Sequence, residues 1–322
     1  MIGDVFAYLV FFAVIAGTYA LVCLGLNLQW GATGLFNVGV AGFVAVGAYT
    51  SAILTSPPSA DRLGGFAWPI GAGWLAAALV AGVVALGVGV ATLRLRHDYL
   101  AIATFGVAVT IQLLALNLVP LTGGPFGIHS VPRPFTGVTA SPLGRNVAYG
   151  VLVVSVVAAV YWALERLSAS PWGRVLRGIR EDEAAAAALG KSPAAFRLQA
   201  FALGAMVMGL AGAVYAHFIG FVAPEDFLSI LTFQAWTMLV VGGSGNNRGA
   251  ILGAVVVWAL WSGSGAALTA VLPQALQARG AALQTVLIGV ALAAVLLLRP
   301  RGLLGETTVV SRHARPEPAA PR

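Results

Sequence analysis

Charge is scarce in this chain. Of its 322 residues, 18 are Lys or Arg and 11 are Asp or Glu, against 59% hydrophobic residues and a mean hydropathy of +0.90. That balance excludes an ordinary soluble domain and makes a lipid bilayer the implied solvent. Cysteine occurs once, at Cys23, so no intrachain disulfide is available, and inside an apolar run it reads as a small packing residue. Zinc-protease, paired-carboxylate and nucleotide-cradling signatures are missing; the Gly-rich run 242–249 has no Lys-Ser/Thr ending. His217 has no second ligand at helical spacing, which favours a packed or interfacial residue over a metal site. No cofactor or metal is expected on this chain.

Acidic groups are also missing from the apolar runs. All eleven (Asp4, Asp61, Asp98, Glu165, Glu181, Asp182, Glu183, Glu225, Asp226, Glu306 and Glu317) fall at run ends, in loops or in the C-terminal tail. An ion-coupled carrier keeps ionisable groups within its spans, where they are expensive. A secondary carrier is therefore the weaker reading, and a membrane enzyme, lacking convergent polar groups, weaker still.

What the chain does have is apolar runs of roughly 20 residues, enough for a helix to cross a core about 30 Å thick. The expected fold is all-α, a polytopic transmembrane bundle over residues 1–306. Its spans are Val5–Leu26, Leu35–Leu54, Ile70–Leu93, Tyr99–Val119, Val147–Leu164, Phe196–Val222, Ile230–Val241, Ala250–Leu268 and Ala282–Leu298. The first run has no basic n-region or cleavage site and reads as a retained span. The seventh is too short to cross alone and precedes Gly242-Gly-Ser-Gly245, so a broken or re-entrant helix is expected and the count is eight to ten. Pro-rich residues 307–322 read as a disordered cytoplasmic tail.

Basic residues set the orientation. Fourteen (Arg94, Arg96, Arg166, Arg174, Arg177, Arg180, Lys191, Arg197, Arg248, Arg299, Arg301, Arg312, Arg315 and Arg322) share one side if the spans alternate, and only Arg62, Arg133, Arg145 and Arg279 lie opposite. The C-terminus is then cytoplasmic; with nine crossings the N-terminus is outside, and with eight or ten it is inside. Topology accounts for the net charge of +7, so no nucleic-acid partner is implied.

Two groups of residues carry functional expectations. Within the cytoplasmic segment 166–197, Ser170-Pro171 starts a helix and Gly190 ends it. This helix, Pro171–Leu189, reads either as a topology anchor or as a docking element. The second group comprises polar residues within spans. Asn27, Gln29, Asn37, Thr104, Gln112, Asn117, Gln199 and Gln234 either hydrogen-bond between helices, at about 0.6–2 kcal/mol each, or line a path. The path candidates are Asn27, Asn37, Thr104, Gln112, Asn117 and Gln234. Gly/Asn-rich interruptions near Gly31/Gly34 and Gly242 suggest a repeat relation between halves.

Several motifs in order along the chain resemble the branched-chain amino-acid ABC permease family, in its LivM-type branch. They are Gly25–Gly39 with Gly47-Ala-Tyr49, Leu95–Thr104, Leu121–Ile128, Pro171–Gly190, Gly242–Gly245 and Arg299–Leu303. Many relatives carry a histidine where Val40 follows Gly39, a departure that bears on substrate. The resemblance implies a permease subunit in the inner (plasma) membrane for branched-chain or related amino acids, with urea or short amides as the alternative. It also implies a second permease subunit, two cytoplasmic ATPase subunits that use the ATP, and an extracytoplasmic substrate-binding protein. Arg174, Arg177, Arg180, Glu183, Ala184 and Gly190 would then form the ATPase-coupling surface, while loops at Thr122–Ile128 and Pro224–Asp226 would receive the binding protein.

Overall fold

A computed structural model describes residues 2–59, 62–95, 97–136 and 141–271, with 280, 283–286, 289–290, 293–295, 297–299 and 301–306 near the C-terminus. The ninth expected span lies partly outside the described residues, and Asp61, Arg96, Arg279 and the tail 307–322 lie wholly outside them. The helices are α1 Ile2–Thr33, α2 Val40–Thr55, α3 Ile70–Thr92, α4 His97–Asn117, α5 Val119–Thr122, α6 Pro142–Ala169, α7 Pro171–Glu181, α8 Glu183–Ala188, α9 Pro193–Ile219, α10 Ser229–Gly242 and α11 Asn247–Val271. Two-residue strands β1 (Ile128–His129) and β2 (Phe221–Val222) pair antiparallel. Six helices, α1, α3, α4, α6, α9 and α11, are long and apolar enough to cross a membrane; α2 and α10 are apolar but shorter. The result is a polytopic helical bundle.

At 1.5 Å per residue the 14 residues of α10 span about 21 Å, less than a hydrocarbon core. The short helix expected before the Gly-rich run is therefore present. The second expected span is corrected: residues 35–39 are extended and helix resumes only at Val40. Gly34 causes the break, taking a left-handed φ of +71° that a side chain disfavours.

The centre of the bundle is α9, packed against α1, α2 and α3. Its small residues allow this. Gly204 faces Gly25 of α1 so closely that a Cβ on Gly25 would sit 2.5 Å from the Gly204 carbonyl oxygen, and Gly209 lies backbone to backbone with Gly47 of α2. In lipid, where burial of apolar surface gives helices little reason to associate, such close approach supplies the dispersion contacts that hold them. Large apolar side chains on α3, α4 and α6, such as Leu75, Val83, Ile102 and Val151, point outward, as a lipid-facing surface requires.

α1 and α9 are each followed by a break and a shorter helix, α2 and α10, and the short helices touch: the amide of Ala41 donates to Thr232 Oγ1 at 3.0 Å, and Trp236 Nε1 donates to the Asn37 carbonyl just before α2 at 2.9 Å.

Candidate functional site

Three places concentrate polar chemistry, and they lie at different levels of the bundle. The first is the segment between α6 and α9. A single helix is expected there, but the chain forms two. Asp182 adopts an extended φ of −149°, and its Oδ1 accepts from the amide of Ala185 at 2.9 Å, capping α8 as a new helix. Ser170 does not cap α7 with its side chain; its hydroxyl donates instead to the Leu167 carbonyl. Gly190 takes the left-handed conformation expected of it, with φ +75°. Leu176 and Ile179 fasten α7 to the bundle, whereas Glu183, Ala184 and Leu189 are exposed, Leu189 at 79%. An uncovered leucine beside small alanines presents a shaped apolar tip on a charged surface.

Two ion pairs tie this segment to the membrane helices. Glu183 meets Arg197 at the start of α9 at 2.7 Å. Arg180 donates to both Glu306 carboxylate oxygens, at 2.8 and 3.0 Å, and to the carbonyl of Gly31 in α1. The guanidinium of Arg180, a residue expected to contact another subunit, is thus engaged within the chain while its side chain stays 25% exposed. Arg174 is exposed and Arg177 half-buried beside the same polar cleft.

The second place is that cleft, at the ends of α1, α6 and α11. Asn27 Nδ2 donates to Asn247 Oδ1 at 2.9 Å, Asn27 Oδ1 accepts from the amide of Gly245 at 2.8 Å, and Asn247 Nδ2 reaches Glu165 at 3.1 Å. The C-terminal segment closes over the Gly-rich turn. The amides of Leu303 and Leu304 donate to the carbonyls of Val241 and Gly242 at 2.8 and 2.9 Å. Two motifs almost sixty residues apart, 242–245 and 299–303, thus meet as one structural unit.

Nearby, the unwound stretch before α2 has its backbone groups satisfied by side chains. Asn37 Nδ2 donates to Gln29 Oε1 at 2.7 Å, Asn37 Oδ1 accepts from the amide of Gly39 at 2.7 Å, Gln29 Nε2 reaches the Phe201 carbonyl at 2.8 Å, and Thr104 Oγ1 accepts from Val38 at 3.0 Å. Non-helical backbone at membrane depth survives only with such partners. Asn27, Asn37 and Thr104 thus hold the turns through hydrogen bonds, and Asn27 also lines the polar cleft.

The third place lies towards the opposite end of the bundle. There α1, α2, α9, α10 and α11 surround a cavity of about 210 Å³ beside the turn Pro224–Phe227. Ile15, Val22, Val44 and Leu231 supply apolar walls, and Tyr19, Tyr215 and Asp226 supply polar groups. Tyr19 donates to Gln234 at 2.8 Å, and Asp226 accepts from Tyr215 at 3.2 Å and from the amide of Ala223 at 3.0 Å. Burial pushes the Asp226 carboxyl above its usual range, opposed by those two hydrogen bonds. His217 is close by and fully buried, its Nε2 2.8 Å from Ser51 Oγ and its Nδ1 2.6 Å from the Pro132 carbonyl, so it pins the loop before α6 to α9.

Residues 8–296 match the protein family described as branched-chain amino acid transport system / permease component. The chain belongs to that family. Among its relatives is the high-affinity branched-chain amino acid transport system permease protein LivM of Salmonella typhimurium, 33% identical over 74% of this chain and 59% of the relative. The chain thus spans about three-fifths of that relative's length. A probable LivM of Methanocaldococcus jannaschii is 28% identical over 74% of this chain and 75% of its own. LivH of Salmonella typhimurium is 24% identical over 92% and 94%. No solved structure matches the chain.

The other path candidates are scattered. Gln234 accepts from Tyr19, which lines the cavity; Gln112 is half-buried and Asn117 exposed on α4, the latter turned back onto the Leu113 carbonyl. Sequence reasoning missed Leu189 as the exposed tip, Arg197 and Glu306 as ion-pair partners, and the Tyr19–Tyr215–Asp226 cavity. The first was visible as a lone large side chain after five alanines. The others needed contacts that no local pattern carries.

Proposed function

We propose that this permease is one half of the membrane pathway of an ATP-driven importer for branched-chain amino acids, with ATP hydrolysed by partner subunits and substrate delivered by an extracytoplasmic binding protein. The names of the LivM and LivH relatives support the substrate class, and similarity to both supports a second, related permease chain as the other half. The observation that carries the mechanism is the exposed α8 tip at Leu189 and Gly190, joined to the bundle by Glu183–Arg197 and Arg180–Gly31. Arg174, Arg177, Ala184 and Leu189 face the ATPase cleft; Arg180 transmits its movement to α1 and Arg197 to α9. Because α1 and α9 are the two helices packed at Gly25–Gly204, displacement at one end would reach the whole core.

The basic-residue asymmetry places α7 and α8 on the cytoplasmic side with the C-terminus, in the inner membrane, and the cavity near Asp226 on the outer half. Exposed Leu63, Phe66 and Phe126 beside a groove of about 570 Å³ at Pro57, Arg62 and His129 then face the binding protein.

Purification of the chain in mild detergent from its native cells, with identification of what accompanies it, tests this reading. Recovery of ATPase subunits and a second permease is expected. Recovery of the chain alone, active in vesicles without ATP, would instead make it a secondary carrier.

A further inference from the structure

The cavity beside Asp226 has a chemistry that helix packing does not require. Its volume, about 210 Å³, lies below the roughly 300–1,000 Å³ of pockets for larger ligands, so it suits a small solute. Ile15, Val22, Val44 and Leu231 give its lining an aliphatic part, and Asp226 adds a carboxylate together with the paired rings of Tyr215 and Phe227. No Lys, Arg or His lines the cavity, and among the described residues Asp226 has no ion-pair partner. Each of its oxygens accepts one hydrogen bond, from Tyr215 and from Ala223, and each retains acceptor capacity. An acid that served only to cap its own turn would not need a cavity at its side.

We propose that this cavity is a station on the translocation route that seats an aliphatic α-amino acid, its ammonium on Asp226 and its side chain against Ile15, Val22, Val44 and Leu231. The proposal rests on the reading of the chain as an amino-acid permease and names the chemistry by which it would recognise its cargo. An ammonium supplies the missing positive charge, and aromatic rings around it add cation–π attraction. The Tyr19 hydroxyl, which donates to Gln234, would turn from it to donate to the substrate carboxylate. Urea and short amides carry neither the cation nor the aliphatic body, so the station disfavours them.

The test uses the complete transporter, with its partner subunits and binding protein, in ATP-loaded proteoliposomes, and compares uptake of leucine and alanine. Asp226→Asn removes the charge and keeps one acceptor oxygen for the Ala223 amide, its Nδ2 facing the Tyr215 hydroxyl oxygen as a donor. Leucine uptake is expected to fall at least tenfold, while the monodisperse elution of the complex stays as in the wild type. Leu231→Trp, which narrows the aliphatic side and leaves Asp226 untouched, is expected to lower leucine uptake several-fold more than alanine uptake. Wild-type leucine uptake in Asp226→Asn, or an unchanged leucine-to-alanine ratio in Leu231→Trp, overturns the station. Absence of leucine uptake by the wild type overturns the amino-acid reading beneath it.

Discussion

The two ends of this bundle are built in opposite ways. Around Asn27, Arg180, Asn247 and Glu306, side chains bridge α1, α7, α11 and the C-terminal segment, and the unwound backbone at 34–39 and 243–246 is gathered into the same region. Around Asp226, helices enclose a mostly apolar cavity of about 210 Å³ with few polar links across it, whereas the cleft at the cross-linked end, about 360 Å³, is lined by polar groups. Both ends contain a break in helical structure. At the cross-linked end the freed backbone groups are bonded by side chains of other helices, so the break transmits displacement. At the hollow end the turn is closed largely within itself, by Asp226 onto Ala223 and by Tyr215 beside it, which leaves room for a solute.

Breaking the cross-linked end gives the largest effect expected. Arg180→Ala removes the bond to Gly31 and both bonds to Glu306, separating α7 from α1. The pair is partly exposed, so its contribution to stability is small, about 1 kcal/mol or less. ATP-driven uptake should nevertheless fall tenfold or more in proteoliposomes, because the linkage and not the fold is lost. A variant with normal uptake would remove Arg180 from the coupling route.

Next in size is the buried amide of Asn27. Replacement by Leu strands the amide of Gly245 and the side chain of Asn247, at a cost of about 1–3 kcal/mol for unsatisfied buried groups. Thermal unfolding of the purified complex followed by size-exclusion chromatography reads that loss directly. No shift in melting would mean that the network is not holding the Gly-rich turn.

A smaller effect sharpens the contrast at the hollow end. The folded chain holds the Asp226 pKa above its unfolded value of about 3.9. The folded state therefore binds the proton more tightly, and this group's favourable contribution is full below that unfolded value and is lost as pH rises through the folded one. Asp226→Asn should melt a few degrees higher than the wild type at neutral pH, with the gap closing as pH falls. A gap that widens on acidification would contradict the burial of this acid.

The smallest effect belongs to Gln112 and Asn117 on the periphery of α4. Alanine at either position should change leucine uptake by less than twofold, since neither borders a cavity or a coupling contact. A large loss would put α4 on the path after all.

The fold was legible because bilayer physics leaves few choices: long apolar runs became α1, α3, α4, α6, α9 and α11, and Gly242 marked the end of a helix too short to cross. The docking segment was legible up to its ends, Pro171 and Gly190, and not in its middle, where the capping strength of Asp182 outweighed the helical preference of its neighbours. Polar residues within spans could not be sorted from sequence. Asn27 and Gln234 both lie within or beside apolar runs, yet one bonds a turn over two hundred residues away and the other accepts from Tyr19 of the cavity wall. Asp226 was assigned to a loop because it sits between apolar runs, and only the folding of that turn against α2 and α4, with Tyr215 of α9 bonded to it, brings it beside an internal space.

The central claim is that the exposed α8 tip receives the ATPase and passes its motion through α7 to α1 and through Arg197 to α9. It is tested most directly by Leu189→Asp in the reconstituted transporter, a change on a fully exposed face that leaves the bundle's own contacts intact. The account predicts that the ATPase subunits no longer co-purify with the permease and that ATP-driven leucine uptake is lost while the permease stays folded. Normal co-purification with normal uptake would contradict it.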